Sequence, residues 1–491
     1  MIKQNHQRLV RYFNRVEQYN RDTKLNNFLE TNPAAGYKHI KSFRNSNPPK
    51  VHTLTVGDKT FQEELVPDGL YDSIKDLKTS TVNQTSLPDY REIYRHIIDL
   101  SENGIKIPEV SIEVSTKILQ KTRKNVNDFF SITALHYLNA GPPGLEHFNI
   151  LFNTVISEVN LAGLDELNTI HAHILYKGHG KDRSSDRSYR TISTCPLIAK
   201  ALDTYIRDLS ISDWHQQQAE TQFQGPGSSH ELAGLLLSEA IQHSLLVSKK
   251  PVFALFLDAK SAFDKVVREI LIGCLFASGT HGDRLLYLDQ RLKNRLTYCE
   301  FDNQLMGPIQ DELGLEQGGK SSSDAYKLYN DEQLKTAQKS SLGVQMRNDI
   351  TISSIGLADD TVLIANDIIS LQNLLHLTNE YCKKFSVELV PEKTKLVLFS
   401  TENMRFITDY AKNVSTITLN NMKIKFSQEA DHVGILRSSA GNLPNILQRI
   451  SSHNQALNGV LPAGLAYRHH GNPASSPVSY THLTLPTKRI V

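Results

Sequence analysis

The sequence predicts an α+β fold in which an antiparallel sheet is backed by helices. Three observations predict it. Val252–Leu257, VFALFL, is a continuous apolar run of the length of one strand buried on both faces. Ile350–Ala365, ITISSIGLADDTVLIA, sets two β-rich runs on either side of a polar Ala-Asp-Asp, the pattern of a hairpin with carboxylates at its tip. Around these runs, apolar residues recur at helical spacing.

Taken in order, residues 1 to about 95 are polar and mixed and read as an upstream extension, with linker composition at Ser42–Lys50 and Lys78–Pro88. From Ser111 the periodicity sharpens, and Ser111–Arg123 and Gly144–Leu161 support helices. Leu232–Lys249 is amphipathic, with Leu232, Leu235, Leu236, Ile241 and Leu245 on or near one face. Ala262–Ser278 is expected to be helical up to Gly279, and Asp324–Lys339 helical again. Asp367 is placed to cap a helix running through Phe385, with Ile368, Leu371, Leu375, Cys382 and Phe385 at spacings of three or four. Val387–Ser400 reads strand, turn, strand, and Thr416–Phe426 alternates around Asn420-Asn421 as a small hairpin. The order strand, helix, helix, hairpin, helix, strand fits a split βαβ arrangement.

Bulk properties bound the reading. At 491 residues the chain is too long for one core and suggests two to four subdomains. Its 39% hydrophobic and 22% charged content is that of a globular protein. No apolar run of about 18 residues predicts a membrane span, and the start, MIKQNHQRLVRYFNR, has no apolar leader, so an intracellular protein is expected. Cys195, Cys274, Cys299 and Cys382 are far apart and form no CxxC pair, which suggests reduced thiols and neither a zinc site nor a disulfide framework. The net charge is only +2, so any surface for a phosphate backbone must be local. Lys177–Arg190, with five cations against two carboxylates, is a candidate.

The acidic residues suggest a chemistry. Phosphoryl transfer to a hydroxyl develops charge on the attacking and leaving oxygens, and two divalent ions held by a few carboxylates stabilise both. Such a site needs one carboxylate ending a buried strand and one or two more on a neighbouring hairpin. Asp258 directly follows the apolar strand, and Asp359 and Asp360 occupy the proposed hairpin tip.

Six motifs then occur in order. SYRTIS at Ser188–Ser193 resembles the YRPIS motif of reverse transcriptases, and TQFQG at Thr221–Gly225 their Q-x-G-F. FLDAKSAFDKV at Phe256–Val266 resembles D-x4-[FY]-D, and GLEQGGKSSSD at Gly314–Asp324 the Q-G motif. LADD at Leu357–Asp360 resembles [YF]-x-D-D, and VPEKTKLVLF at Val390–Phe399 the N-x-x-K-T stretch. The combination resembles the non-LTR, LINE-like retrotransposon branch.

The resemblance implies a right-hand polymerase fold: helical and β fingers at 96–250, a ferredoxin-like antiparallel palm at 251–437 and a partial helical thumb at 438–477. It implies an RNA-directed DNA polymerase acting on an RNA template, a DNA primer and dNTPs, in the nucleus. Two Mg²⁺ ions, with Mn²⁺ as the alternative, would be bridged by Asp258 and Asp359, with Asp360 a weaker ligand. Phe263 matches the aromatic gate against a ribose 2′-hydroxyl. Lys177, with Lys181 as substitute, and Arg190 match the cations that hold the incoming triphosphate. Gln317 and Gly318 match residues contacting the nucleotide and primer–template pair. Lys393, ahead of Lys395, matches the lysine beside the pyrophosphate leaving group.

Departures fall at Leu357, Thr191, Ser323, Gln224 and Val390, none of them a metal ligand. They bear on template positioning, fidelity and processivity. An RNA-dependent RNA polymerase would carry its second Asp five residues after the first, where this chain has Phe263, its second acid being Asp264. A group II maturase-like enzyme and a non-catalytic nucleic-acid-binding remnant are the alternatives. No endonuclease motif is visible. Finally, VSYTHLTLPTK at Val478–Lys488 resembles a translated sequencing adapter, so 478–491 is expected to be an artefact and the thumb to be cut short.

Overall fold

A computed structural model describes residues 50–79, 88–122, 127–157, 166–178, 181–223, 229–347, 350–402, 417–441, 445–446 and 451. Val51–Ala440 form one unit. The other, Met1–Lys50 with Gly441–Val491, lies almost wholly outside the described residues. The expected thumb beyond its first residues and the expected adapter tail fall there.

The described residues open with a hairpin, β1 (Thr53–Val56) and β2 (Lys59–Gln62), followed by α1 (Val66–Thr79). Helices α2 (Pro88–Glu102), α3 (Ile112–Lys121), α4 (Ala134–Asn139) and α5 (Gly141–Ser157) follow. Strands β3 (Thr169–Tyr176) and β4 (Tyr189–Thr194) lead into the long α6 (Leu197–Gln216). Next come α7 (His230–His243), the buried strand β5 (Val252–Leu257), α8 (Arg268–Ala277) and α9 (Asp283–Leu292). Strands β6 (Arg295–Phe301) and β7 (Gln304–Asp311) precede α10 (Ser322–Lys339). Four short strands follow, β8 (Val344–Arg347), β9 (Ile350–Ile352), β10 (Ser354–Leu357) and β11 (Asp360–Ala365). After α11 (Ile368–Phe385) and β12 (Lys395–Phe399) come the hairpins β13 (Thr418–Leu419) with β14 (Met422–Lys423) and β15 (Glu429–His432) with β16 (Ile435–Ser438).

Two four-stranded sheets organise these elements. One has the order β10-β11-β5-β12, with every neighbour antiparallel. Both of its faces are buried, which is why β5 is apolar throughout. Phe253, Leu255 and Leu257 point into the larger core with Leu363, Leu396, Leu398 and residues of α8, α10 and α11. Val252, Ala254 and Phe256 point into a second core, closed by Ala233, Leu237 and Ala240 of α7 and by Val344 and Ile352.

The other sheet has the order β4-β3-β6-β7, with β3 parallel to β6. Its strands come from 169–194 and 295–311, so the spans 96–250 and 251–437 interleave. Sequence periodicity did not mark this sheet, because its strands carry His, Thr, Glu and Gln among the apolar residues.

Several expectations are corrected. Part of the expected upstream extension is built into the fold: Leu54, Val66 and Leu70 pack with Ala172, Ile174, Cys299 and Ile309 in a core under the second sheet. Lys78 is buried, with its Nζ 2.6 Å from Asp311 Oδ2. The helix expected at Ala262–Ser278 starts only at Arg268, because Ser261 takes φ +49° and its carbonyl accepts from Asp264 and Lys265 N–H in a turn. On α7 the buried stripe is Ala233, Gly234, Leu237, Ala240 and Ile241, while Leu232 and Leu235 are exposed. Ile435 packs over Gly234, where a Cβ would lie 2.5 Å from its Cδ1. The run Ile350–Leu357 is split, since β9 pairs with β8 and β10 with β11.

Candidate active site

The hairpin β10–β11 turns at Ala358-Asp359, with Leu357 opposite Asp360. On its other side β11 pairs with β5, ending at Thr361 opposite Leu257. One step further along that register, Asp360 comes level with Asp258, while Asp359 occupies the turn itself. The antiparallel pairing thus converts a separation of about a hundred residues into adjacency at one sheet end.

The electrostatics agree with the register. Asp359 and Asp360 reach solvent, yet the protein around them desolvates their carboxylates. Desolvation, then the Asp258 charge, lifts Asp359 above the usual carboxylate range. Asp360 is pushed up to about 6 by desolvation, then by Asp359 and Asp258. Asp258 Oδ2 is buried without a hydrogen-bond donor and lies 3.3 Å from Lys393 Nζ. Three crowded carboxylates facing one exposed ammonium form a site short of positive charge. That donor set, all oxygen and partly solvated, fits hard divalent cations.

The hairpin tip is held from behind. Ala358 adopts φ +58°, an unusual conformation for a residue with a Cβ. Its N–H donates to Gln222 Oε1 at 3.1 Å, and its carbonyl accepts from Asn330 Nδ2 at 2.8 Å. Gln222 is itself fixed: Phe223 N–H donates to Gly356 O at 2.8 Å, and Gly356 N–H donates to Thr221 O at 2.9 Å, so this segment pairs along the free edge of β10. Gln222 and Asn330 were not singled out from sequence. Gln222 stands inside the TQFQG stretch, a usable signal, whereas Asn330 is one polar residue on a helix. Gln224 and Gly225 of that stretch lie outside the described residues.

Phe263 sits in the turn after β5, and its ring stacks on Tyr326 with centroids 4.6 Å apart. Its carbonyl accepts from Leu315 N–H at 2.8 Å, which brings the Gly314–Gly318 loop alongside. Gly314, at φ +86°, lies against the Asp264 backbone, where a Cβ would come within 2.7 Å of its carbonyl oxygen. Gln317 Nε2 donates to Asp264 Oδ2 at 3.3 Å, and Gln317 O accepts from Ser193 N–H at 2.8 Å. Gly318, at φ +112°, is exposed and lies against the Ser193 carbonyl.

A cluster of cations completes the surroundings. Lys177 is held below the usual lysine range, first by burial, then by Lys181 and Lys393, with Arg190 adding to the effect and Asp264 opposing it. These groups therefore share one neighbourhood. Lys177 Nζ donates to Arg187 O at 2.7 Å, and Arg190 is exposed on β4 opposite Leu175. Lys395 opens β12 opposite Phe256 and is exposed. The sequence-selected residues thus gather around the end of the first sheet and the adjoining edge of the second.

Comparison with known proteins points to a family. Residues 180–435, just over half of the chain, match the family described as Reverse transcriptase (RNA-dependent DNA polymerase). The chain is also 22% identical over 220 residues to the "Transposon TX1 uncharacterized 149 kDa protein" of Xenopus laevis. That alignment covers 45% of this chain and 16% of the relative. Among the described residues, no helix is long and apolar enough to cross a membrane.

Proposed function

The chain belongs to the reverse transcriptase (RNA-dependent DNA polymerase) family, and from that premise we propose that it extends a DNA primer on an RNA template for the replication of a non-LTR, LINE-like retrotransposon. The observation that carries the proposal is the convergence of Asp258, Asp359 and Asp360 at one sheet end. The sheet β10-β11-β5-β12 with its helices corresponds to a palm, and β4-β3-β6-β7 to part of the fingers. The similarity to a transposon protein supports the element type, and a nuclear site of action follows from the same reading.

Asp258 and Asp359 would hold two Mg²⁺ ions, or Mn²⁺ in their place, with Asp360 as the weaker ligand. When bound, the ions would supply positive charge to the attacking and leaving oxygens. The protein side supplies the rest. Arg190 and Lys177, with Lys181 beside them, bind the triphosphate of the incoming nucleotide, the guanidinium suited to two phosphate oxygens at once. Gln317 and Gly318 border the nucleotide, the glycine permitting close backbone approach. The Phe263 ring, braced by Tyr326, excludes a ribose 2′-hydroxyl and so selects dNTPs. Lys393, drawn toward Asp258 in the free protein, donates a proton or charge to departing pyrophosphate.

Primer extension on an RNA template, with Mg²⁺ and dNTPs at saturating primer–template, tests the proposal. Asp359→Asn should lower incorporation by on the order of 10³-fold or more, several kcal/mol of lost transition-state stabilisation. Incorporation that is absent, or unchanged by Asp359→Asn, would overturn it and favour a non-catalytic nucleic-acid-binding remnant.

A further inference from the structure

The second sheet carries a cluster that the polymerase reading does not use. On β3 the residues alternate, with Ile170, Ala172 and Ile174 buried and His171 and His173 on the opposite face. β6 runs parallel to β3 with Glu300 level with His173. His171 Nε2 lies 2.8 Å from Glu300 Oε2, and His173 Nδ1 lies 3.1 Å from the same oxygen. One ligand atom from each residue falls within 4.8 Å of the other two. We propose that His171, His173 and Glu300 form a binding site for a divalent transition-metal ion of the zinc class, separate from the carboxylate site.

The donor set selects the ion. Two imidazoles and one carboxylate form a common three-ligand set for zinc, whereas Mg²⁺ prefers oxygen ligands and waters. Bonds of about 2.0–2.1 Å in a tetrahedron put ligand atoms about 3.3 Å apart. Both histidine–carboxylate separations, 2.8 and 3.1 Å, are within about half an ångström of that value, and the two histidine ligand atoms lie within 4.8 Å of each other. Phe129 walls one side, stacked on Tyr298 at 4.9 Å and edge-on to His171 at 5.9 Å.

The placement suggests what the ion does. β3 and β6 are distant in sequence, and the ion would bridge them across their parallel pairing. Metal binding would thus add to folding stability by linkage. Three protein ligands leave a fourth position for water. The site shares a sheet face with Arg190, which opposes Leu175 two residues along β3 from His173, about 7 Å away. An ion there would brace the strand carrying a proposed nucleotide contact without entering the reaction.

The test uses the whole chain, stripped with chelator and titrated with CoCl₂ and ZnCl₂. One equivalent of Co²⁺ should give the intense visible absorption of a tetrahedral site, and Zn²⁺ should displace it and raise the melting temperature. Glu300→Gln, and separately His173→Asn, should weaken Zn²⁺ binding at least about tenfold, a loss of about 1.4 kcal/mol. Asp359→Asn should leave Zn²⁺ binding intact. A wild-type protein with no such cobalt spectrum overturns the assignment, as does binding undiminished in both site variants. Circular dichroism of the metal-free variants separates loss of the site from loss of the fold. None of these readouts depends on polymerase activity.

Discussion

Phe263 is held by its backbone as well as its ring, since its carbonyl accepts from Leu315 and its side chain stacks on Tyr326. A residue so fixed can discriminate by shape. Phe263→Val is expected to raise ribonucleotide incorporation relative to deoxyribonucleotide by at least about tenfold, a loss of about 1.4 kcal/mol of discrimination. Single-turnover incorporation of matched rNTP and dNTP pairs measures it, and an unchanged ratio removes the gate role. His432 makes the opposite use of burial. It is 3% exposed beside Phe256, and neither ring nitrogen has a hydrogen-bond partner. Burial, then the Arg437 charge, pushes it down to about 4. The unfolded chain, titrating near 6.5, therefore binds more protons between about pH 4 and pH 6.5. Stability is full above that window and falls as the pH drops through it, by up to about 3 kcal/mol. His432→Phe should flatten this part of the profile in denaturant melts at pH 7.5 and pH 5, whereas an unchanged slope would mean that His432 protonates without cost.

At the scale of elements, the hairpin β10–β11 depends on groups outside itself. Its tip accepts a donor from Asn330 and gives one to Gln222, which is 2% exposed. Gln222→Ala leaves the Ala358 N–H without its acceptor, at a cost of about 1–3 kcal/mol. Asp359 then loses its fixed position, so the turnover rate should fall more than nucleotide affinity does. Pre-steady-state incorporation separates the two, and a change in affinity alone would make Gln222 merely structural. This dependence also explains what the sequence disclosed. β5, the Asp359 turn, the Asp367 cap and the Asn420-Asn421 turn each have a local cause, an apolar run, a polar break or a capping oxygen, and local causes are legible. The Asp367 carboxylate indeed accepts from Ser370 N–H at 2.8 Å. The late start of α8 was not legible, because Gly314 pressing on the Asp264 backbone is a tertiary contact. Nor was the small-residue face of α7, which a distant Ile435 selects. The His171–His173 pair went unmarked in the sequence, and Glu300 joins it only through the β3–β6 pairing.

Across the described residues, buried charges tie the two sheets and helix α1 together. Arg268 donates to the carbonyls of Leu292 and Asp311, each at 2.6 Å, and to Leu313 at 3.0 Å. Arg291 lies 3.4 Å from Glu316, which Arg295 also approaches at 3.3 Å. Lys78, from the stretch expected to be linker, pairs with Asp311 at the end of β7. Because Asp311 is fully buried, removing its partner leaves an uncompensated charge, and Arg268 at 4.0 Å compensates only in part. Lys78→Met should therefore destabilise by roughly 3–5 kcal/mol, and Asp311→Leu should similarly strand Lys78. The double variant replaces both charges with apolar groups, and a buried pair so replaced is often neutral in net stability. It should be more stable than either single variant, with a coupling energy of several kcal/mol, because a near-neutral double stands against two large single losses. Urea melts of the four proteins close the cycle. Additive effects would mean that the ammonium and carboxylate are solvated separately, and that α1 is held on the second sheet by its apolar residues, Val66 and Leu70 among them, and not by this ion pair.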